Sequence, residues 1–417
     1  LEGGVIVLLS WIIIILFSSI PFITILDLNF TQAVFESVSG WTTTGLSVVE
    51  VTKAPKTVLI WRSVIQLAGG AGLAVIMISS IAGPIGPGLA FAEGRTDQLV
   101  PHVRKSAKLV LTIYIGYATA GTLAYVFSGM SAFDAINHSF AAVSTGGFST
   151  VPDSIGHWDS VLIEAVTIPL MLLGTLNFLT AYLILNGKLR AVGRNGEVRL
   201  MAVVLPISAF LVFFFACRGL YPTLEKSVRV AVFETVSALT TTGFSTISYS
   251  DWTPLGLFVL IILMLIGGGT CSTAGGIKQY RIYLLYKSLC WELKRYFLPR
   301  TAVVENYVWQ GENRDYIKDD RIRQVSLFLF LYLTCYVLSV GIFAAHGFSL
   351  PESMFESASS LGTVGLSIGI TSASSPPFVL WTQTIGMFLG RLEFFIVFVS
   401  VWKIIKDFSR LRPRARH

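Results

Sequence analysis

The chain has 417 residues, of which 53% are hydrophobic and 13% are charged, with a mean hydropathy of +0.69 and a net charge of +7. Soluble domains carry roughly 25% charged residues, so this composition predicts an integral membrane protein. The four cysteines form no CxxC pair and the five histidines show no metal-ligand spacing, which argues against a disulfide framework, a zinc site and a metalloenzyme. The sequence begins with Leu1 in front of an apolar run, and we expect further residues before it.

Long apolar segments and short amphipathic segments alternate along the chain. Four nearly uncharged runs have the length of a membrane-spanning helix, which is about 20 residues: 5–26, 109–128, 200–217 and 325–345. Each is followed by a short amphipathic segment, at 31–42, 133–144, 229–240 and 351–362. A second long apolar segment then follows, at 57–82, 159–185, 254–287 and 378–407. The short segments cannot cross a bilayer, so we predict that they are re-entrant helices.

One pattern occurs four times, at the end of each short segment. The copies are FESVSGWTTTGLS (35–47), NHSFAAVSTGGFS (137–149), FETVSALTTTGFS (233–245) and FESASSLGTVGLS (355–367). An interval near a hundred residues is too long for a solenoid unit and fits a membrane module used four times. We therefore predict an all-α integral membrane fold with four pseudo-equivalent outer helix–re-entrant pore helix–inner helix modules around a central pore. The predicted modules are 1–84, 85–188, 189–290 and 291–417.

The distribution of basic residues predicts the orientation. Most of the 31 lysines and arginines lie in the segments that join or follow the modules, at 83–108, 186–199, 278–323 and 401–417. By the positive-inside rule these joints and the C-terminus are cytoplasmic, and the repeats face outward. Topology thus accounts for the positive net charge without a nucleic-acid partner. The basic joints between modules can bind membrane lipid or a partner protein, and the sequence does not decide between the two.

The four copies have the composition that a cation filter needs. A dehydrated monovalent cation needs several oxygens in place of its water, and rings of backbone carbonyls supply them in potassium channels. Glycine permits the backbone angles that turn carbonyls towards an axis, and the short helix before each turn aims its negative C-terminal end at the ion. The predicted ligands are the backbone carbonyls of Thr43, Thr44, Gly45, Thr145, Gly146, Gly147, Thr241, Thr242, Gly243, Thr363, Val364 and Gly365.

The third inner segment contains five glycines where the middle of a spanning helix should be, namely Gly267, Gly268, Gly269, Gly275 and Gly276. Each costs about 1 kcal/mol relative to alanine in a helix, so we do not expect an unbroken helix. A dinucleotide-binding fingerprint is disfavoured because no strand precedes the glycines. Close helix packing through small residues is one alternative. A mobile plug at 267–276 beneath the filter is favoured, because unwound backbone at the midplane of a transporter lines the ion path.

With these motifs in this order, the chain resembles the Trk/Ktr/HKT superfamily of potassium transporters, and within it the TrkH/KtrB membrane subunits. The resemblance rests on the four repeats, WRS at 61–63, GGIKxxR at 275–281 and GRLE at 390–393. It implies uptake of K+ across the inner (plasma) membrane of a prokaryote by a homodimer, with no organic cofactor in this chain. It also implies that 267–276 is the intramembrane gating loop, controlled by a cytoplasmic nucleotide-binding ring of the TrkA/KtrA type. A preference for K+ is implied by Gly45, which sodium-selective plant relatives replace with serine.

Two basic residues at membrane depth are candidates for the gate. Arg391 lies inside the fourth inner segment, where a charge is expensive and is therefore functional or paired. The resemblance places it below the filter, where its charge would repel K+. A salt bridge with Glu393 or another buried acid is the alternative, and the two can coexist. Lys278, at the cytoplasmic end of the glycine segment, is given a similar role.

Acidic residues precede three of the four filter glycines by nine positions. They are Glu36, Glu234 and Glu356, and His138 takes the equivalent place in the second copy. We favour a role in bracing the filter backbone over a role in attracting cations. Three further polar residues of the inner segments, Arg62, Gln66 and Glu164, are predicted to be structural partners.

Three other functions remain as alternatives to gated potassium flow. Potassium symport coupled to protons or sodium needs a relay of buried acids, and only Glu164 and the pore-helix glutamates offer one. An enzyme with a membrane-embedded site lacks a recognisable catalytic set, so we predict no enzymatic activity. A purely structural role is the least favoured.

Overall fold

The computed structural model describes residues 2–72, 103–299, 305–310 and 313–411. In chain order its helices are α1 (Glu2–Leu26), α2 (Phe30–Trp41), α3 (Lys56–Ala71), α4 (Val103–Phe127), α5 (Ala132–Val143), α6 (Val161–Thr175), α7 (Phe178–Leu185), α8 (Leu189–Val192), α9 (Gly196–Val212), α10 (Leu224–Leu239), α11 (Pro254–Ile266), α12 (Gln279–Tyr296), α13 (Asp319–Ala345), α14 (Leu350–Leu361), α15 (Pro377–Leu392) and α16 (Phe394–Leu411). The described residues also include the 3₁₀-helix Ser154–His157, a π-helical turn at Phe213–Cys217, and strands β1 (Tyr307–Gln310) and β2 (Asn313–Tyr316).

The predicted outer helices are α1, α4, α9 with its π-helical end, and α13. By length and apolar composition these four can each cross a membrane. They begin three to six residues earlier than predicted, because their first turns are polar or charged and hydropathy alone does not detect them. Large apolar side chains such as Phe17, Phe127 and Phe330 point outward, as expected for helices surrounded by lipid.

The four short segments are the helices α2, α5, α10 and α14, which we call the pore helices. Three of them have 12 residues, whereas α10 has 16 and begins five residues earlier than predicted. Side chains of Asn29, Ser131 and Thr223 cap the N-termini of α2, α5 and α10 by accepting from backbone N–H groups of the first turn, which satisfies groups that have no partner within the helix. At the start of α14, Glu352 Oε2 accepts from Ser349 N at 2.9 Å. Their C-termini run directly into the glycine turns.

The inner segments are more interrupted than predicted. The third is broken between α11 and α12, as its glycines predict. The second and fourth, expected as continuous apolar segments at 159–185 and 378–407, are also broken, with bends of 117° between α6 and α7 and 103° between α15 and α16. Asn177 caps the second half of one pair by accepting from Leu179 N at 2.7 Å, and Glu393 adopts a left-handed φ of 64° in the other. The predicted residues 73–82 of the first inner segment lie outside the described residues.

A short antiparallel hairpin lies in the third joint, where no strand was predicted. Strands β1 and β2 pair Tyr307 with Tyr316 and Val308 with Asp315. Val308 packs with Leu284 of α12 and Val325 of α13 in a separate small core. The hairpin therefore fixes the path of the chain between the third inner segment and the fourth outer helix.

Candidate functional site

The tips of the four glycine turns meet in a closed ring. A side-chain carbon placed on any of the four glycines would overlap a backbone carbonyl oxygen of the next copy. The pairs are Gly45 with Gly146 O, Gly147 with Thr242 O, Gly243 with Val364 O, and Gly365 with Thr44 O. Copies that are about a hundred residues apart in sequence are thus in direct backbone contact, and they follow one another around the ring in chain order.

Each turn has the same unusual backbone conformation. Thr43, Thr145, Thr241 and Thr363 have φ between 50° and 56°, and Gly45, Gly147, Gly243 and Gly365 have φ between 72° and 98°. A β-branched residue in this region is a conformational outlier, and such outliers persist where the surrounding structure imposes them. The backbone N–H that follows each of these threonines donates to the pore helix, for example Thr44 N to Ser39 O at 2.9 Å. The four turns therefore share one backbone conformation and one set of backbone hydrogen bonds to their pore helices.

The pore-helix acids brace the backbone that leaves each turn, which was the favoured prediction. Glu36 accepts from Ser47 Oγ and Val48 N, both at 3.0 Å. Glu234 accepts from Thr246 N and Thr246 Oγ1, both at 2.8 Å, and Glu356 accepts from Ile368 N at 3.2 Å. In the second copy, His138 Nε2 lies 3.0 Å from Ser149 Oγ. All four side chains are fully buried.

Arg62 on α3 connects the first two turns, in agreement with its predicted structural role. Its Nε donates to Glu36 at 2.7 Å, and its Nη1 donates to the Ser149 carbonyl at 3.2 Å. The guanidinium also stacks on the Phe148 ring, 4.0 Å from the ring centre. Both members of the Arg62–Glu36 pair are almost completely buried. Removal of one partner of such a buried pair strongly destabilises the folded protein, because the other charge is left buried and uncompensated.

An ion-pair network connects the second and third copies on the side of the turns. Arg229 of α10 donates to Glu164 of α6 at 2.6 Å and to Asp159 at 2.9 Å. Lys226 donates to the same aspartate at 3.0 Å. The hydrogen bond and charge of Lys226, with a smaller contribution from Arg229, lower the pKa of Asp159. Glu164 is thus a structural partner, as predicted.

The glycine segment between α11 and α12 lies directly against the four turns. Thr273 Oγ1 lies 3.1 Å from Thr145 Oγ1, and Thr43 Oγ1 is 3.5 Å from the Thr273 carbonyl. The Gly275 amide donates to Thr241 Oγ1 at 2.8 Å. A side chain on Gly275 would overlap the Gly362 carbonyl and Thr363 Oγ1. The segment thus touches all four copies of the repeat.

Arg391 holds the glycine segment to the first inner helix. It donates to the carbonyls of Thr273 and Gly69. The carboxylate of Glu393, the predicted alternative partner, accepts from Arg281 Nη2 at 2.6 Å. Lys278 has a left-handed φ of 84° and donates to the Ala274 carbonyl. Both basic side chains are therefore directed at backbone oxygens of the segment that was predicted to be the gate.

Glu197 is a contact of this segment that sequence reasoning did not single out. Its Oε1 accepts from Thr270 N and Thr270 Oγ1, both at 2.7 Å. The residue lies in the first turn of α9, where Asn195 caps the helix by accepting from Glu197 N at 2.9 Å. The only sequence signal is an acid at a helix N-terminus, which is also the ordinary place for an exposed helix-capping acid.

A set of apolar helices whose four re-entrant turns meet tip to tip is the architecture of a membrane pore protein. The TrkH family, described as cation transport proteins, matches residues 2–409, and the chain belongs to this family. The resemblance and the predicted fold class are thereby confirmed.

Relatives and a solved structure agree with this assignment along nearly the whole chain. The Trk system potassium uptake protein TrkH of Escherichia coli is 33% identical, with 95% of this chain and 84% of the relative covered. An uncharacterized cation transporter of Methanocaldococcus jannaschii is 31% identical, with 94% and 80% covered. The crystal structure of the potassium transporter TrkH from Vibrio parahaemolyticus has a TM-score of 0.82 at 29% identity and covers 95% of this chain and 84% of that chain.

Proposed function

We propose that this protein takes up potassium through the ring of four glycine turns. The observation that carries the proposal is the contact of each tip glycine with a backbone carbonyl of the next copy, because a filter needs quasi-equivalent oxygens from every quarter around one axis. The Escherichia coli and Vibrio parahaemolyticus relatives, which are described as potassium uptake or potassium transporter proteins, support potassium as the ion.

The proposed ligands are the backbone oxygens of the four tips. The set is that of the sequence prediction, namely Thr43, Thr44, Gly45, Thr145, Gly146, Gly147, Thr241, Thr242, Gly243, Thr363, Val364 and Gly365. Each pore helix ends at this ring, and the negative end of its dipole favours a cation there. The role of the buried glutamates as braces supports a fixed filter more than it supports a proton relay, so passive flow is preferred over symport.

In the proposed mechanism the segment 267–276 is the gate, in its closed position. The contacts of this segment with the threonines of the turns support this proposal. In the proposed orientation, a segment at this position lies between the filter and the cytoplasm and blocks the path of the ion. The proposed gate residues are Gly267, Gly268, Gly269, Gly275, Gly276, Lys278 and Arg391. Arg391 stabilises the closed position by its bonds to Thr273 and Gly69, and its positive charge opposes the passage of K+.

Opening of this gate requires work from outside the membrane region. We propose that a cytoplasmic nucleotide-binding ring of the TrkA/KtrA type supplies it, and that two copies of this chain form a homodimer in a prokaryotic inner membrane. The basic joints and the C-terminus then face the cytoplasm, where the joint 278–323 is available for docking.

Potassium and sodium flux into reconstituted vesicles tests the proposal. We expect potassium uptake that increases with the regulatory subunit and a reversal potential that follows the potassium gradient alone. Gly243→Ser, which places a side chain against the Val364 carbonyl, should abolish uptake. Gly341→Ser is the matched control, since no atom lies near a side-chain carbon at that position of α13. Equal uptake by the two variants would contradict the filter, and a dependence of the reversal potential on protons or sodium would favour symport.

A further inference from the structure

Three of the inner helices pack on the pore helices in one common register. Gly69, Gly174 and Gly390 each lie where a side chain would press on the carbonyl of the last pore-helix residue, which is Trp41, Val143 or Leu361. In the third copy the corresponding glycine is Gly267, where α11 ends. The contacts align the first, second and fourth inner helices, and the position of its first glycine aligns the third.

Three residues before these glycines, the second, third and fourth copies carry methionine and the first carries glutamine. Met171, Met264 and Met387 are fully buried among apolar side chains. Gln66 is equally buried. A buried amide must be hydrogen-bonded to offset its loss of water, so the exception calls for specific partners.

The partners of Gln66 lie on both sides of the second filter glycine. Its Nε2 donates to the Gly146 carbonyl, and its Oε1 accepts from Phe148 N at 3.2 Å. The side chain of one module therefore bridges Gly147, the tip of the next module.

The second turn lacks a hydroxyl that the other three turns have. Six residues before the filter glycine the copies read Ser39, Ala141, Ser237 and Ser359. The serine hydroxyls bind the turn from within: Ser39 Oγ donates to Leu46 O at 2.6 Å, and Ser237 Oγ donates to Phe244 O at 2.6 Å. In the fourth copy Ser359 Oγ accepts from Gly365 N at 3.0 Å. Ala141 can make no such bond.

The second turn also lacks a side chain at the position before its filter glycine. The copies read Thr44, Gly146, Thr242 and Val364. A side-chain carbon on Gly146 would lie 2.5–2.7 Å from the amide atoms of Gln66. The glutamine amide thus takes the space that a threonine or valine side chain fills in the other turns.

We propose that Gln66 is a positioning residue for the filter, which replaces from a neighbouring module the serine and the side chain that the second turn lacks. Gln66, Ala141 and Gly146 then form one unit around the second turn. At the equivalent positions around the other turns, the inner helix carries Met, the pore helix carries Ser, and the residue before the filter glycine is Thr or Val. The carbonyl of Gly146 is held by an amide donor, so its distance from the axis is set by α3. The proposal rests on the proposed filter function and assigns to Gln66 a part of the preference for K+ over Na+.

The test is the replacement of this unit by its counterpart from the other turns. Gln66→Met alone removes both hydrogen bonds, and we expect the permeability ratio of K+ to Na+ in vesicles to fall about tenfold, because two neutral hydrogen bonds are lost. The triple variant Gln66→Met, Ala141→Ser, Gly146→Thr should return the ratio to within about twofold of the wild type.

Thermal unfolding in detergent provides a second readout that does not depend on transport. Gln66→Met should lower the unfolding temperature less in the Ala141→Ser, Gly146→Thr background than in the wild type. The control is Gln383→Met on α15, a buried amide that donates to Thr371 Oγ1 at 2.7 Å, whose effect should be the same in both backgrounds. A ratio unchanged by Gln66→Met, or no rescue in the triple variant, would overturn the proposal. If the protein carries no potassium flux but Gln66→Met still lowers the unfolding temperature less in the Ala141→Ser, Gly146→Thr background, the filter function is rejected. The structural coupling of the three positions is then supported.

Discussion

In the proposed mechanism, the closed position of the segment 267–276 depends on the carboxylate of Glu197, and we expect neutralisation of this carboxylate to open the proposed gate. The carboxylate is almost fully buried and accepts two hydrogen bonds from Thr270, both at 2.7 Å. Hydrogen bonds to a charged group contribute roughly 1.5–3 kcal/mol and neutral ones roughly 0.5–1.5 kcal/mol. Glu197→Gln keeps an oxygen acceptor but removes the charge, which weakens the two bonds by about 2 kcal/mol together. At about 1.4 kcal/mol per tenfold change, the ratio of closed to open protein should fall about 30-fold.

Potassium uptake by vesicles without the regulatory subunit measures this shift. We expect the basal rate of Glu197→Gln to rise by at least tenfold, and that of Thr270→Ala to rise as well, since it loses the hydroxyl donor. Glu292→Gln is the matched control, because Glu292 lies exposed on α12. The reasoning is refuted if Glu197→Gln unfolds at the wild-type temperature and takes up potassium at the wild-type basal rate.

Three further predictions concern the proposed filter and its supports. Gly243→Ala should reduce potassium uptake at least tenfold, since even a methyl group overlaps the Val364 carbonyl and φ at Gly243 lies in the region that favours glycine. Gly341→Ala should leave the uptake rate unchanged. Arg62→Ala leaves the buried Glu36 carboxylate without its cation and should destabilise the protein by roughly 3–5 kcal/mol, seen as a lower unfolding temperature; no decrease would exclude the pair as a support. Because the pKa of Asp159 is lowered, its ion pairs stabilise the protein above the unfolded pKa near 3.9 and are lost as the pH falls through the lower folded pKa. Its carboxylate is 56% exposed, so Asp159→Asn should lower stability at neutral pH by less than about 1 kcal/mol and abolish that acid dependence.

Much of the architecture could be predicted from the sequence because its causes are local. Apolar runs of spanning length predict the outer helices, and the four-fold repeat predicts four equivalent turns. The five glycines between 267 and 276 predict a break in the third inner segment through their own backbone freedom. The confirmed family and fold follow from these features. The hairpin at 307–316 was missed because its strands have only four residues each, which is too short for a periodic signal.

The partners of the buried polar groups could not be predicted, because they come from distant parts of the chain. Arg391 was predicted to lie by the gate or to pair with Glu393 or another buried acid. Its hydrogen bonds to the carbonyls of Thr273 and Gly69, 118 and 322 residues away, could not be predicted. Likewise Gln66 was predicted to be a structural residue, without a specific partner. Its contact with Gly146 depends on how α3 packs against the second turn.

What the sequence by itself determined is a membrane protein of four modules with glycine turns and one unwound inner segment, since apolar length and glycine content act within a few residues. Only the tertiary structure decided which carbonyl each tip glycine meets in the ring and that the second and fourth inner segments bend. It also decided that Arg391, Glu197 and Gln66 bind backbone atoms of distant segments. The physical reason is that a buried polar side chain takes whichever partner the packing brings within hydrogen-bond distance, and that packing is a property of the whole fold.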